Sequence, residues 1–167
     1  VMTPVGGEGS FHNAVVSAAL VRWALEDGSG RPFDSSGGFL LPNGSMRSPD
    51  AAWVRRARLD ELSREVKTRF LPLAPDFVVE LRSPSDDFRN LEAKMEEYRD
   101  CGVRLGWLID PEERRVHVYR PDRPIEILDG PVEISGDPEL PGFVLDLTGY
   151  RAPSKGLHPC RLQVSSL

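Results

Sequence analysis

The chain has 167 residues, of which 40% are hydrophobic and 28% are charged. This length suits a single domain with one core, and this composition excludes a chain that is disordered throughout. The formal net charge of -5 argues against a protein that coats nucleic acid through a global positive field. Since no apolar stretch approaches the roughly 20 residues that span a bilayer and no secretion signal opens the sequence, we expect a cytoplasmic protein without a membrane span.

The first part of the chain is predicted to contain one helix and two strands. Apolar residues at helical spacing predict a helix over residues 11–26, preceded by a flexible glycine-rich stretch at 6–10 and ended by Gly28-Ser29-Gly30. The turn signal Pro42-Asn43-Gly44 separates a strand that ends just before it from a second strand over residues 48–54.

Residues 55–70 then form an amphipathic and locally basic connection. The later predicted elements are a strand at 76–82, a helix at 87–101 and three strands at 103–110, 114–120 and 124–128. This order of elements predicts the α/β fold class, with a mixed sheet flanked by helices in a single domain over residues 1–150. Residues 151–167 show little periodicity and are interpreted as a C-terminal tail.

The predicted strand at 76–82 is unusual because one of its faces is charged. Side chains alternate along a strand, so Asp76, Glu80 and Arg82 share one face, whereas the other face is apolar. A strand that is covered by helices on both sides is normally apolar on both faces. The charged face indicates either an edge strand with one wetted side or a polar pocket lined by the strand.

The helix predicted at 87–101 places a lysine near this charged face. On a helical wheel Met95 and Tyr98 belong to the buried stripe, Lys94 lies at its margin, and the side that includes Glu97 is predicted to face solvent. A lysine at such a margin either extends along the apolar surface to solvent or directs its ammonium group inwards. Because a carboxylate-bearing strand directly precedes this helix, we favour an ammonium group directed into the pocket.

Asp50, Glu80 and Lys94 form a set with a specific chemical use. Asp50 enters its predicted strand through Ser48-Pro49-Asp50, a tripeptide that also forms ordinary turns. Carboxylates from adjacent strands supply the oxygen ligands that Mg²⁺ or Mn²⁺ prefers, and a nearby lysine orients water or offsets developing charge in phosphodiester hydrolysis. Without a metal, two carboxylates suit acid and base catalysis on a glycoside, but that chemistry leaves Lys94 without a role.

Several short motifs also follow one another in a characteristic order. They are Ser48-Pro49-Asp50, PDFVVELRSPS at 75–85, LEAKMEEY at 91–98, Gly102-Val103 and WLIDP at 107–111. This ordered set resembles a bacterial family of restriction-endonuclease-like proteins of unknown function, which belongs to the PD-(D/E)XK nuclease superfamily. The resemblance spans residues 3–150 and implies a restriction-endonuclease-like mixed β-sheet flanked by helices.

Carried over residue by residue, the resemblance implies a role for each member of the set. Asp50 corresponds to the aspartate of the PD motif and Glu80 to the acidic residue of the (D/E)XK motif, so both are expected to bind the metal ion. Arg82 departs from the motif, which has lysine at that position. In this family the lysine is displaced to the following helix, which matches Lys94, and Arg82 becomes a candidate for contacting phosphate.

Two further carboxylates are auxiliary candidates. Pro75-Asp76 imitates the PD motif, but Asp76 lies on the same strand as Glu80, so we interpret Asp76 as an auxiliary carboxylate beside the site. Glu8 lies near the start of the first helix, where members of the superfamily often have an acidic residue that helps to hold the metal.

The leading hypothesis is therefore a Mg²⁺- or Mn²⁺-dependent endonuclease, with DNA as its expected partner and a homodimer as its expected assembly. The basic stretch at 55–69 is expected to face DNA. The alternative is a non-catalytic nucleic-acid-binding or regulatory protein that retains the nuclease fold, because the chain has no recognisable helix-turn-helix, zinc finger or base-stacking aromatic strand. Metal dependence separates the nuclease from a hydrolase that acts on sugars.

Overall fold

The computed structural model describes residues 6–150, so residues 1–5 and the predicted tail at 151–167 lie outside the described part of the chain. The helices are α1 (Gly7–Asp27), α2 (Arg56–Asp60) and α3 (Phe88–Asp100), with a 3₁₀ turn at Val66–Thr68. The strands are β1 (Gly30–Asp34), β2 (Phe39–Leu40), β3 (Met46–Arg47), β4 (Ala51–Arg55), β5 (Phe77–Leu81), β6 (Leu105–Asp110), β7 (Arg115–Tyr119), β8 (Glu126–Asp129), β9 (Glu133–Ser135) and β10 (Val144–Asp146).

Six of these strands form one mixed sheet in the order β1-β4-β5-β6-β7-β8. β5 and β6 are parallel, because α3 carries the chain from one to the other, and the remaining neighbours are antiparallel. β5 lies between β4 and β6, which excludes the edge strand considered for residues 76–82. The predicted α/β fold class with helices flanking a mixed sheet is confirmed.

Two apolar clusters cover opposite faces of this sheet. Phe77 and Val79 of β5 pack on one face with α1 and with the hairpin of β9 and β10. Val78 packs on the other face with α3 and with the hairpin of β2 and β3. The predicted alternation therefore holds, and it directs Glu80 towards the α3 side, where a buried polar group requires partners.

The first helix begins at Gly7, earlier than the sequence predicts. The amide of Ser10 donates to the carbonyl of Gly6 at 3.0 Å, so the stretch predicted to be flexible forms the first helical turn. The helix ends as predicted, at Gly28, whose φ of 72° is the left-handed conformation that glycine adopts at little cost. Within residues 6–150 no helix combines the length and the apolarity that a bilayer span requires.

The segments on either side of β4 also differ from the prediction. β4 begins at Ala51 rather than at residue 48, because Pro49 has no amide to donate to a neighbouring strand. The basic connection at 55–70 contains only the short helix α2 and the 3₁₀ turn. Of its three apolar residues at helical spacing, Leu59 is buried, whereas Leu62 and Val66 remain half-buried.

α3 follows the prediction closely except at one residue. The Asp87 side chain caps its start by accepting from the amide of Arg89 at 2.9 Å, and Met95 and Tyr98 are fully buried. Glu97, which was expected to face solvent, instead pairs with Arg47 at 2.6 Å and accepts hydrogen bonds from Asn43 and Ser45. The prediction for Glu97 is wrong because the hairpin of β2 and β3 folds over this side of α3.

Candidate active site

The pairing of β4 with β5 brings Asp50 beside Glu80. Ala51 pairs with Val79 in this antiparallel ladder, and Asp50 directly precedes Ala51 while Glu80 directly follows Val79. α3 adds Lys94 to the same cleft, which has a volume of about 230 Å³. The cleft is also lined by His12, Asn13, Arg82 and Asp86.

Glu80 is the buried carboxyl of this cleft, with 4% of the residue exposed. Its Oε1 atom accepts a hydrogen bond from the Tyr98 hydroxyl at 2.9 Å and forms an ion pair with Nζ of Lys94 at 2.7 Å. Burial raises the pKa of Glu80 to about 7; Lys94 opposes this rise, and the negative charge of Asp50 adds to it. Glu80 therefore exchanges its proton near neutral pH.

Lys94 and Tyr98 reach the same oxygen because they are four residues apart on α3 and project from one face. The Lys94 side chain is 26% exposed, and its ammonium group pairs with Glu80 instead of extending into solvent. Burial and the charge of Glu80 raise the pKa of Tyr98, so the phenol keeps its proton and donates it. Of the two orientations considered for Lys94, the protein has the one directed into the cleft.

Asp50 is held from two directions. Its Oδ2 atom accepts from the amide of Leu81 at 2.7 Å, and its Oδ1 atom accepts from Nδ2 of Asn13 at 3.2 Å. Burial raises the pKa of Asp50, while these two hydrogen bonds and the charge of Lys94 oppose the rise. The carboxylate is therefore oriented by β5 and by α1 at the same time.

The hydroxyl of Tyr98 is expected to contribute measurably to stability through Glu80. In Tyr98→Phe the buried carboxyl loses one of its two partners, and we expect the free energy of unfolding to fall by about 1 to 2 kcal/mol. Tyr119→Phe is the matched control, because Tyr119 packs in the same apolar cluster and its buried hydroxyl has no partner within residues 6–150. Urea denaturation of both variants measures the difference, and equal losses would contradict this role for Tyr98.

Asp76 shares a face with Glu80 but not its surroundings. It precedes β5 and lies four residues from Glu80, which corresponds to about 13 Å along an extended strand. Its carboxylate accepts from the amide of Arg55 at 2.9 Å and pairs with the Arg58 side chain at 3.0 Å. The structure therefore places Asp76 in an ion cluster that joins β4, α2 and β5, and not in the cleft.

Arg82 lines the cleft, whereas Glu8 does not. The guanidinium group of Arg82 pairs with Asp110 at 2.6 Å and lies over the ring of Phe88, with 5.4 Å between Cζ and the ring centroid. Its Nε atom is buried without a partner in the described part of the chain, so one donor remains unused. Glu8 is exposed in the first turn of α1.

The basic stretch at 55–69 begins at the end of β4 that is farther from Asp50. Asp76 balances Arg55 and Arg58, and Arg69 pairs with Glu65 within the stretch. The stretch therefore has less free positive charge than its composition suggests, and it starts away from the cleft.

Two polar residues of α1 line the cleft although the sequence assigned them no role there. Asn13 donates to Asp50, and its Oδ1 atom is buried without a partner among residues 6–150. His12 is 6% exposed, stacks on Tyr150 with 4.6 Å between ring centroids, and has an Nε2 atom without a partner in the described part of the chain. In the sequence these two residues are marked only by their polarity at the start of an otherwise apolar helix. That signal does not indicate which carboxylate they approach.

The donor set of the cleft fits a divalent cation that prefers oxygen ligands. Both partners of Glu80 contact Oε1, which leaves Oε2 for a cation, and the Asn13 Oδ1 atom has no partner in the described part of the chain. Residues 6–150 contain no group of three or more His, Cys, Asp or Glu arranged for metal binding. Asp50 and Glu80 would be the two carboxylate ligands of a cation here, as suits Mg²⁺, which commonly binds through one or two carboxylates and keeps several waters.

The six-stranded sheet, its two covered faces and the acidic cleft between β4 and β5 define a restriction-endonuclease-like α/β protein. A family model described as "Putative restriction endonuclease" (Uma2) matches residues 1–148, and the chain belongs to this family. The resemblance drawn from the ordered motifs is therefore confirmed.

One solved structure has the same fold as this chain. The chain is similar to a protein of Anabaena variabilis ATCC 29413 that is described as a putative nuclease belonging to DUF820, with a TM-score of 0.75 and 21% sequence identity. The match covers 90% of this chain and 84% of that chain, and it shows the shared fold. A comparison with curated proteins gave no match. The family supports a nuclease in general.

Proposed function

We propose that the protein is a Mg²⁺- or Mn²⁺-dependent nuclease that hydrolyses phosphodiester bonds in DNA. The observation that carries this proposal is the presence of Asp50, Glu80 and the ammonium group of Lys94 in one cleft. Two acids and one cation suit a metal-bound phosphodiester, whereas acid and base catalysis on a glycoside leaves the cation unused. The family and the fold support the same class.

In this proposal each residue of the cleft has a separate task. Asp50 and Glu80 hold the divalent cation, with Asn13 and Tyr98 orienting their side chains. When bound, such a cation polarises the phosphodiester and lowers the pKa of a water molecule. Lys94 neutralises Glu80 in the free protein, and with substrate present its ammonium group offsets the negative charge that develops on the phosphate.

The substrate and the assembly extend this proposal. A homodimer suits double-stranded DNA, because two related sites can act on both strands. Arg82 lines the cleft, and its positively charged side chain is 20% exposed, which supports a contact with a substrate phosphate. We assign Asp76 to the stability of the fold, since Arg55 and Arg58 already occupy its carboxylate.

Calorimetric titration with Mn²⁺ tests the metal site without requiring a known substrate. We expect saturable binding by the wild-type protein and its loss in Asp50→Asn and in Glu80→Gln, which keep the side-chain shape and remove the charge. Asp60→Asn is the control, because Asp60 is an exposed carboxylate on α2 outside the cleft. Binding that persists in both cleft variants would contradict the proposed site.

Cleavage assays then distinguish the nuclease from the non-catalytic alternative. We expect Mn²⁺-dependent cleavage of double-stranded DNA that stops when EDTA removes the metal, and we include single-stranded DNA and RNA as competing substrates. Nucleic-acid binding that is unchanged by EDTA, without cleavage of any of these substrates, would favour a binding or regulatory protein that retains the fold.

A further inference from the structure

Helix α1 carries two apolar stripes on opposite sides, and within residues 6–150 only one of them packs in the core. The inner stripe, with Val16, Leu20 and Ala24, packs on the sheet. The outer stripe is exposed along the whole helix and consists of Phe11, Ala14, Ala18, Val21 and Leu25. Its three large side chains are 56%, 41% and 77% exposed at Phe11, Val21 and Leu25, respectively.

The spacing of the outer stripe is that of a helix-pairing seam. Its members follow one another at intervals of three, four, three and four residues, the a and d positions of a heptad pattern. A helix that only covers a sheet needs one apolar stripe, with polar residues on its other side. The outer stripe of α1 therefore fits a second helix.

We propose that the outer stripe of α1 pairs antiparallel with α1 of a second copy of this chain. The flanking charges indicate this occupant. Glu8 and Arg22 lie on the same flank of the seam, are exposed, and form no ion pair within residues 6–150.

The charges also select the antiparallel direction. Glu8, Val15 and Arg22 are seven residues apart, so they occupy equivalent heptad positions along one flank. In an antiparallel pair centred near Val15, Glu8 of each copy faces Arg22 of the other, which forms two ion pairs. In a parallel pair the e positions of one helix face the g positions of the other, which are Ser10, Ser17 and Ala24 here, so Glu8 and Arg22 would find no opposite charge.

The size of the seam predicts a reversible dimer. Ala14 and Ala18 are small, so the two helix backbones can approach closely at the middle of the seam. From Gly7 to Leu25 the helix extends about 27 Å. A single helix pair of this length buries less than the roughly 1,600 Å² of a standard interface, so we expect dissociation in the micromolar range.

This inference supplies a surface for the homodimer of the proposed function, and its test does not depend on nuclease activity. It also gives Glu8 a partner other than a metal ion. The stripe lies on the side of α1 that faces away from the sheet, whereas Asn13 reaches Asp50 from the same helix. Association through the outer stripe therefore leaves the contacts of Asn13 in place.

Sedimentation velocity of the full chain, from about 1 to about 200 µM, tests the inference. We expect a monomer–dimer equilibrium for the wild-type protein and a monomer throughout this range for Ala18→Glu, which places a charge at the middle of the seam. Ala93→Glu is the matched control, since Ala93 is an exposed alanine on α3. Two results would overturn the inference. One is a wild-type protein that is monomeric at every concentration, whatever the position of residues 151–167. The other is a dimer that the Ala18→Glu substitution leaves intact.

Charge reversal tests the direction of pairing. Glu8→Arg and Arg22→Glu are each expected to raise the dimer dissociation constant by about fivefold or more, because each creates two like-charge contacts per dimer. The double variant Glu8→Arg/Arg22→Glu is expected to return to within about twofold of the wild-type value. If the double variant instead binds more weakly than either single variant, the antiparallel register is overturned.

Discussion

Lys94→Met is expected to lower DNA cleavage by at least about 100-fold while the protein stays folded. Removing a group that stabilises charge developing in a transition state commonly costs a factor of about 100 to 1,000 in rate. The variant keeps both carboxylates, so we expect saturable Mn²⁺ binding to remain at pH 8. Loss of cleavage with retained metal binding is the signature of a group that acts on the phosphate and not on the metal.

The stability of this variant is a separate question, because Glu80 loses its counter-ion. Tyr98 still donates to the carboxyl, and protonation of Glu80 relieves the unpaired charge. Circular dichroism and urea denaturation should therefore accompany every activity measurement. Arg104→Met serves as the control, since it removes an equal positive charge from an exposed residue outside the cleft and outside the basic stretch. Equal activity in the two variants would remove Lys94 from the mechanism.

Metal-free protein is expected to lose stability as the pH rises towards neutrality, because of Glu80. The pKa of this carboxyl is about 7 in the folded protein, against an ordinary value of 4.5. The folded state therefore binds more protons than the unfolded state in this window, and the free energy of unfolding falls as the pH rises from about 4.5 to about 7. The full loss is roughly 3 kcal/mol, since one pH unit between the two values corresponds to about 1.4 kcal/mol.

Glu80→Gln isolates this effect from other titrating groups. In EDTA we expect the variant to be more stable than the wild-type protein at pH 8 and similar to it at pH 4.5, as measured by urea denaturation. Burial lowers the pKa of His117, which contributes a change in the opposite direction to both proteins and cancels in the difference. A difference between the two proteins that does not vary with pH would show that Glu80 titrates at its ordinary value.

Mn²⁺ should reverse the order of stability at pH 8. A ligand that binds only the folded state stabilises it by an amount that grows with the logarithm of its concentration above the dissociation constant, and in our proposal Glu80→Gln cannot bind the ion. The wild-type protein should therefore gain stability on addition of Mn²⁺, whereas the variant should not. This comparison links the titration of the carboxyl to the metal site in a single measurement.

Local sequence patterns were enough to predict the elements that carry Glu80 and Lys94. Alternation along β5 assigned Glu80 to the face opposite Phe77 and Val79, and helical periodicity placed Lys94 beside the buried stripe of α3. Both patterns hold because strands and helices have fixed periods, whatever the rest of the chain does. The family resemblance singled out Asp50, which on local grounds was indistinguishable from a turn residue.

The alternation of side chains along β5 was less informative about what surrounds each of them. Asp76 and Glu80 share a face, and the pattern alone suggested that they serve one site. The two residues are in fact surrounded by different segments, with Arg55 and Arg58 at one end of β5 and Tyr98 with Lys94 at the other. The two-residue period of a strand specifies the face of the sheet from which a side chain projects. It does not specify which distant segment packs against that face.

The sequence by itself therefore determined the α/β class, most of the elements and the face to which each candidate side chain points, because these depend on interactions within a few residues. Only the tertiary structure decided that Asn13 reaches Asp50, that Glu97 is covered by a hairpin, and that one of the two apolar stripes of α1 stays exposed. These outcomes depend on contacts between segments that are tens of residues apart. Such contacts follow from how the elements pack, and no local period encodes that packing.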